Sequence, residues 1–287
     1  MNTSRVTTRQ IVFFLSINTL MTAAVFAWML SGGGDSMPLV MLMMWIPAIS
    51  TFITLAVYRE PLSSLGWRPG RFRYLVESYT LPIMVAVVAY GLVWMTGFAD
   101  VYVDEVTTYR WAGMLGFDLP VHPVVGIASK MIWGFLLISF FVLGEEIGWS
   151  GFLVPKLLKV ASVPLTSLII GLYWTVWHLP AFVGGIYGNG ASLWIAVPGV
   201  TVVFVAVSMM RTVLVAKSGS LWTGTLLHLS HNTVLMGIFF DLTRKTDAAK
   251  ILVSESGLIT GLVYAVFAIT FWRFNSNIEE GPRVSRE

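Results

Sequence analysis

The sequence contains no cysteine. That excludes disulfides, thiolate metal sites and a cysteine nucleophile, and it leaves the redox compartment unreadable. Charge is also scarce: 11% of the 287 residues are Asp, Glu, Lys or Arg, against 56% hydrophobic residues. A soluble domain usually carries about 25% charged residues, so this chain lacks the polar surface to cover itself in water. An ordinary cytosolic enzyme, a disordered chain and a nucleic-acid-binding protein are thereby excluded. The formal net charge of +3 is spread over loops, which points to membrane orientation and not to a polyanionic partner. No internal repeat, low-complexity tract or linker divides residues 1–287, so they read as one transmembrane domain.

What the sequence has in abundance is apolar runs. Crossing about 30 Å of hydrocarbon takes about 20 residues of helix. Eight such runs lie near 11–31, 37–58, 75–97, 126–158, 163–183, 193–216, 219–240 and 252–273. The expected fold is an all-α polytopic bundle of about eight transmembrane helices, the fourth long enough to be tilted or broken. The first run follows Arg5 and Arg9. It is too long for a signal-peptide core and has no clear small-residue cleavage site, so it reads as retained.

Orientation follows from the Lys/Arg bias of the loops. With a cytosolic N-terminus, that side collects twelve basic residues: Arg5, Arg9, Arg59, Arg68, Arg71, Arg73, Lys156, Lys159, Lys217, Arg273, Arg283 and Arg286. The other side collects four, Arg110, Arg244, Lys245 and Lys250, with the acidic stretch of Asp100, Asp104, Glu105 and Asp118. Both termini are expected in the cytosol.

Ionisable residues inside spans are expensive and mark function by default. Glu145, Glu146, His178 and His228 stand out, with His231 and Asn232 beside the last. Lys130, near the start of its span, is expected to snorkel to the interface, and His122, in a Pro-flanked outer loop, to lie outside any site. Adjacent helical residues point about 100° apart, so Glu145 and Glu146 cannot both face one site. One is expected to aim inward while the other holds a partner. His228 and Asn232 are four apart and share a helix face, offering an imidazole and a carboxamide to a developing oxyanion. Counted along their helices at 1.5 Å per residue, Glu145 and His178 each lie roughly 21 Å from the cytosolic edge, and His228 roughly 16 Å. Three helices therefore place polar groups in one layer, the arrangement expected of a buried, water-bearing cavity suited to acid–base chemistry.

Glu145-Glu146, Trp174-x-x-x-His178 and His228-x-x-x-Asn232, in that order over about 125–240, resemble the type II CaaX prenyl endopeptidase group, the Rce1-like branch of the CPBP (Abi) membrane proteins. The resemblance implies an intramembrane endopeptidase acting near the C-terminus of a prenylated CaaX-type protein or peptide, with lipid bilayer as its other partner. The prenyl chain would lie in the bilayer and the peptide would enter from the cytosolic side. It also implies roles. Glu145 activates water with help from His178, His228 and Asn232 hold the oxyanion, and Glu146 supports Glu145. There are two departures: the group usually carries Arg five residues after the first glutamate, where this sequence has Ser150, and usually Phe four residues before the histidine, where it has the conservative Trp174.

Other readings use the same residues. No cofactor is expected, but Glu145, His178 and His228 are also candidate ligands for a divalent metal such as zinc, with Glu146 as base. Against that, no His-Glu-x-x-His pair is present, and Asn is a poor zinc ligand. Gly148-Trp149-Ser150-Gly151 has the form of a serine-nucleophile motif. Buried Glu and His also build the proton relays of transporters, although no repeat symmetry is visible. A non-catalytic scaffold is the remaining alternative.

Overall fold

A computed structural model describes residues 3–33, 37–104 and 121–275. Arg110, Glu105, Asp118, Arg283 and Arg286, which enter the charge comparison, lie outside the described residues. The chain is all-helical: α1 (Thr3–Trp28), α2 (Met37–Tyr58), α3 (Phe72–Met95), α4 (Pro123–Leu157), α5 (Val163–Val183), α6 (Leu193–Ser218), α7 (Leu221–Ser230), α8 (Asp247–Leu252) and α9 (Leu258–Phe274). Six of these, α1 to α6, are long and apolar enough to cross a bilayer.

The last two expected spans differ from the simple picture. Ser220 caps α7 by accepting from the Trp222 N–H at 3.2 Å, and the helix continues as a π-helical stretch, His231–Phe239. His228, His231 and Asn232 dilute its apolar character. The run expected from 252 becomes helical only at Leu258, because the Ser254 hydroxyl accepts from the Ser256 N–H at 3.2 Å. Such side-chain bonding competes with helix formation, and Val253–Gly257 is a buried, non-helical segment.

α6 is the axis of the bundle. Val200, Val203, Phe204, Val207 and Met210 are fully buried along it, with α5 and α9 against its flanks. The first half of α4, by contrast, leaves Ile132, Leu136 and Phe140 about half exposed or more. An apolar face of that extent would be a liability in water, and against lipid it is ordinary. The second half of α4 is buried because α2 comes unusually close. A Cβ on Gly144 would lie 2.7 Å from the Met44 carbonyl oxygen, and one on Gly148 would lie 2.5 Å from Pro47 Cβ. Small residues four apart let helices approach through van der Waals packing, and here they fix the two intervening glutamates against the bundle.

Candidate active site

Glu145 and Glu146 diverge, as their helical spacing requires. Glu145 lines a cavity of about 240 Å³ together with Trp174, His178, His228, Asn232 and Glu255. Its Oε2 accepts two indole N–H bonds, from Trp149 at 3.2 Å and from Trp174 at 3.1 Å. That leaves Oε1 for whatever occupies the cavity. Both tryptophans are buried, so the carboxylate is held by donors that cannot be exchanged for solvent.

Glu146 turns the other way, toward α6 and α7. Its Oε1 lies 2.8 Å from Arg211 Nη2, an ion pair in which neither side chain is exposed. The same oxygen lies 3.0 Å from His228 Nδ1, and Oε2 accepts a hydrogen bond from Ser150. A Cβ on Gly224 would stand 1.8 Å from the Ser150 hydroxyl, so α7 can bring His228 to Glu146 only because residue 224 has no side chain. The guanidinium also lies over Trp174, its Cζ 4.5 Å from the ring centroid, an attractive arrangement for a cation. Arg211 Nη2 is close to Glu146 but not aligned as a hydrogen bond, and among the described residues Nε has no acceptor. The attraction is therefore Coulombic.

This arrangement answers the departure at residue 150. The positive charge beside the glutamates comes from α6 through Arg211 and not from within α4, while Ser150 contributes a neutral donor. Arg211 was not among the residues singled out from sequence, although an arginine inside the apolar run 193–216 is the kind of signal that marks function.

The two histidines are fixed through Nδ1. In His178 this atom lies 3.0 Å from the Trp174 carbonyl oxygen, so it donates a proton there and leaves Nε2 as a neutral acceptor. In His228, Nδ1–H donates to the Glu146 carboxylate, and Nε2 is the nitrogen left for the cavity. Second partners of this kind commonly set a histidine's tautomer and ring orientation. Trp174 packs edge-on to His228 with ring centroids 5.0 Å apart, and stacks on Phe204 at 4.1 Å.

Other polar residues fall elsewhere. His231 is fully buried and faces α9 and its leading segment, with Nδ1 2.8 Å from the Tyr264 hydroxyl and Nε2 3.2 Å from Glu255 Oε1. Lys130 is ion-paired with Asp241. His122 caps α4, accepting from the Val124 N–H at 3.3 Å. Glu255 is the second residue that sequence reasoning missed, having been counted within an ordinary apolar span.

The cavity's position in the bundle is one-sided. Phe26 at the end of α1, Val40 at the start of α2, and Ile186 and Tyr187 between α5 and α6 line it. All belong to the half of the bundle opposite the basic loop 59–71, which joins the other ends of α2 and α3.

Among the described residues no three His, Asp or Glu side chains come together as a metal site. Glu145 Oε2 is held by two indoles and the Nδ1 atoms of His178 and His228 by protein acceptors, while Glu145 Oε1 and the two Nε2 atoms are left toward the cavity.

Residues 127–234 match the family model described as Rce1-like, type II CAAX prenyl endopeptidase. That segment is similar to the Rce1-like family, and the six long apolar helices are those of an integral membrane protein. The match spans Glu145, Glu146, His178, His228 and Asn232, as well as Ser150 and Arg211, and stops short of Glu255. No curated protein matches the chain.

Proposed function

We propose that the protein is an intramembrane endopeptidase that hydrolyses a peptide bond near the C-terminus of a lipid-anchored, CaaX-type peptide. The observation that carries this reading is the cavity in which a carboxylate held by two indole donors meets two tautomer-fixed imidazoles and a carboxamide. Amide hydrolysis needs a base for water and donors for the oxyanion. Glu145 takes the proton of the attacking water, with His178 Nε2 as its helper. Asn232 donates its amide N–H to the carbonyl oxygen as it gains charge, and His228 adds an Nε2–H donor when its ring carries a proton on that nitrogen as well as on Nδ1. Glu146, neutralised by Arg211, does not touch substrate and instead sets the orientation of His228.

Two of the sequence expectations exclude one another in this geometry. Cytosolic termini place the cavity in the non-cytosolic half of the bundle, so a peptide would not enter from the cytosol. The Lys/Arg distribution is a property of this chain, whereas the side of entry came by resemblance. The reading therefore keeps the termini cytosolic and has the substrate presented at the opposite face. Ser150 as a nucleophile is disfavoured, because its hydroxyl is committed to Glu146 and does not line the cavity.

The test is cleavage of a farnesylated CaaX peptide by purified protein in detergent, where sidedness plays no part. Wild type is compared with Glu145→Ala, His178→Ala and His228→Ala, each with and without a strong chelator. Turnover by wild type alone, indifferent to chelator, is expected. Equal turnover in all four proteins would remove the assignment, and a fully chelator-sensitive reaction would restore the metal reading. No cleavage by any of them would favour a proton-coupled carrier.

A further inference from the structure

The segment Val253–Gly257 is irregular backbone, buried at every residue, and it carries an ionisable side chain. It is packed tightly into the bundle: a Cβ on Gly199 would stand 2.0 Å from the Ser256 carbonyl oxygen. Gly199 lies roughly 10 Å along α6 from the start of that helix, so the segment sits inside the apolar layer. Non-helical backbone is tolerated there only where protein buries it or where it lines a cavity. This segment does both, since Glu255 lines the same cavity as Glu145, His178, His228 and Asn232.

Glu255 is supported like a working group. Its Oε1 lies 3.2 Å from His231 Nε2, whose Nδ1 lies 2.8 Å from the Tyr264 hydroxyl. With Tyr264 donating to Nδ1, Nε2–H donates to Oε1, which fixes the carboxyl group by one oxygen. Oε2 has no hydrogen-bond partner among the described residues. A buried carboxyl oxygen without a partner is costly, more so as a charge, and least costly when that oxygen carries the proton. Two carboxyls sharing one low-dielectric space do not readily ionise together. Glu145, with two indole donors, is the better-supported anion.

We propose that Glu255 is a second catalytic carboxyl group of this cavity, the acid that protonates the departing amine. The inference rests on the peptidase reading and completes its proton inventory. Glu145 takes a proton from water as the water oxygen bonds to the substrate carbonyl carbon. The C–N bond then breaks, and its electron pair takes the proton from Glu255 Oε2. The products are a carboxylic acid and an amine. Glu145 is left protonated and Glu255 ionised, and transfer of one proton from Glu145 to Glu255 through cavity water restores both. His231 and Tyr264 are positioning residues.

The experiment exploits the leaving group. An amine cannot depart without a proton, whereas a thiolate, whose parent thiol has a pKa of about 8.5, can. Full-length Glu255→Gln is assayed on a farnesylated CaaX peptide and on the same peptide with the scissile amide replaced by a thioester, with Glu145→Ala as the background for both. Expected is a loss of about 100-fold or more in amide turnover, with thioester turnover within a few-fold of wild type. Equal losses on both substrates, or full activity on both, would overturn the proposal. Should Glu255→Gln fail to fold, Glu255→Asp is read by the same criterion, with the amide loss again exceeding the thioester loss. Wild type no better than Glu145→Ala on either substrate would instead overturn the peptidase reading itself.

Discussion

Arg211 and Glu146 form an ion pair with an N···O distance of 2.8 Å, between two side chains that have no exposure at all. They come from different helices, so the pair ties α4 to α6 at the level of the cavity. Removing one member of such a pair leaves an uncompensated buried charge and costs about 3–5 kcal/mol. Arg211→Ala is expected to lose that much in detergent unfolding experiments. Arg211→Lys should lose less, since it keeps the charge but not the flat contact with Trp174. An Arg211→Ala protein as stable as wild type would mean that Glu146 is carried neutral.

Trp174 offers a finer test of the same region. Trp174→Phe keeps a ring against Phe204 and removes the N–H that Glu145 accepts. A hydrogen bond to a charged group is worth about 1.5–3 kcal/mol, so kcat on a farnesylated peptide should fall roughly ten- to hundredfold. KM should change little, and thermal stability should fall by no more than the loss of that one buried bond. An unchanged kcat would show that Trp149 alone suffices to hold the carboxylate.

At the other end of the bundle, Glu60 accepts from Lys156 at 2.5 and 2.7 Å and from Gln10 at 2.7 Å. Burial works to raise its pKa, but the bonds from Lys156 and Gln10 and the lysine charges together hold it below the ordinary carboxylate value. A carboxyl depressed in the folded state stabilises above its unfolded pKa and loses that contribution as pH falls through the folded one. Wild type should therefore melt above Glu60→Gln at pH 7. The gap should close as the pH drops below about 4.3, the ordinary glutamate value. A gap independent of pH would assign the effect to packing.

The absence of native cysteine makes sidedness directly measurable. Ile186, on the cavity's rim, is 37% exposed, and Ser63, in the loop between α2 and α3, is exposed. In intact cells, Ile186→Cys is expected to react with an externally added impermeant maleimide, and Ser63→Cys only after permeabilisation. The reverse pattern would turn the cavity toward the cytosol and restore a cytosolic route for the peptide.

Much of the fold is legible from composition, because a chain with so few charges has one solvent available to it and its apolar runs set the helices. Polar residues at matching depth also placed Glu145, His178 and His228 on converging faces, and the structure brings all three to one cavity. What escaped was the partner of each glutamate. Arg211 sits in an apolar run that reads as a plain span, and its meaning depends on which face of α6 meets α4. Glu255 was hidden because a hydropathy run gives no sign that its first residues are non-helical, and only the Ser254 turn makes them so. The dilution of α7 and its π-helical continuation by His228, His231 and Asn232 is readable in the sequence, and two of the three, His228 and Asn232, line the cavity.

The π-helical stretch Ile147–Leu153 begins immediately after Glu146. A wide turn admits an extra residue without breaking the helix. It shifts the angular phase of everything after it by about 100° relative to an α-helix. The residues before the stretch address Arg211 and the cavity, and Lys156 beyond it addresses Glu60. These two sets of contacts are compatible only at the present spacing. Length, and not only residue identity, is thus encoded here. Deleting a single residue between 147 and 153 would force the helix to choose between its two ends, even if every named side chain remained.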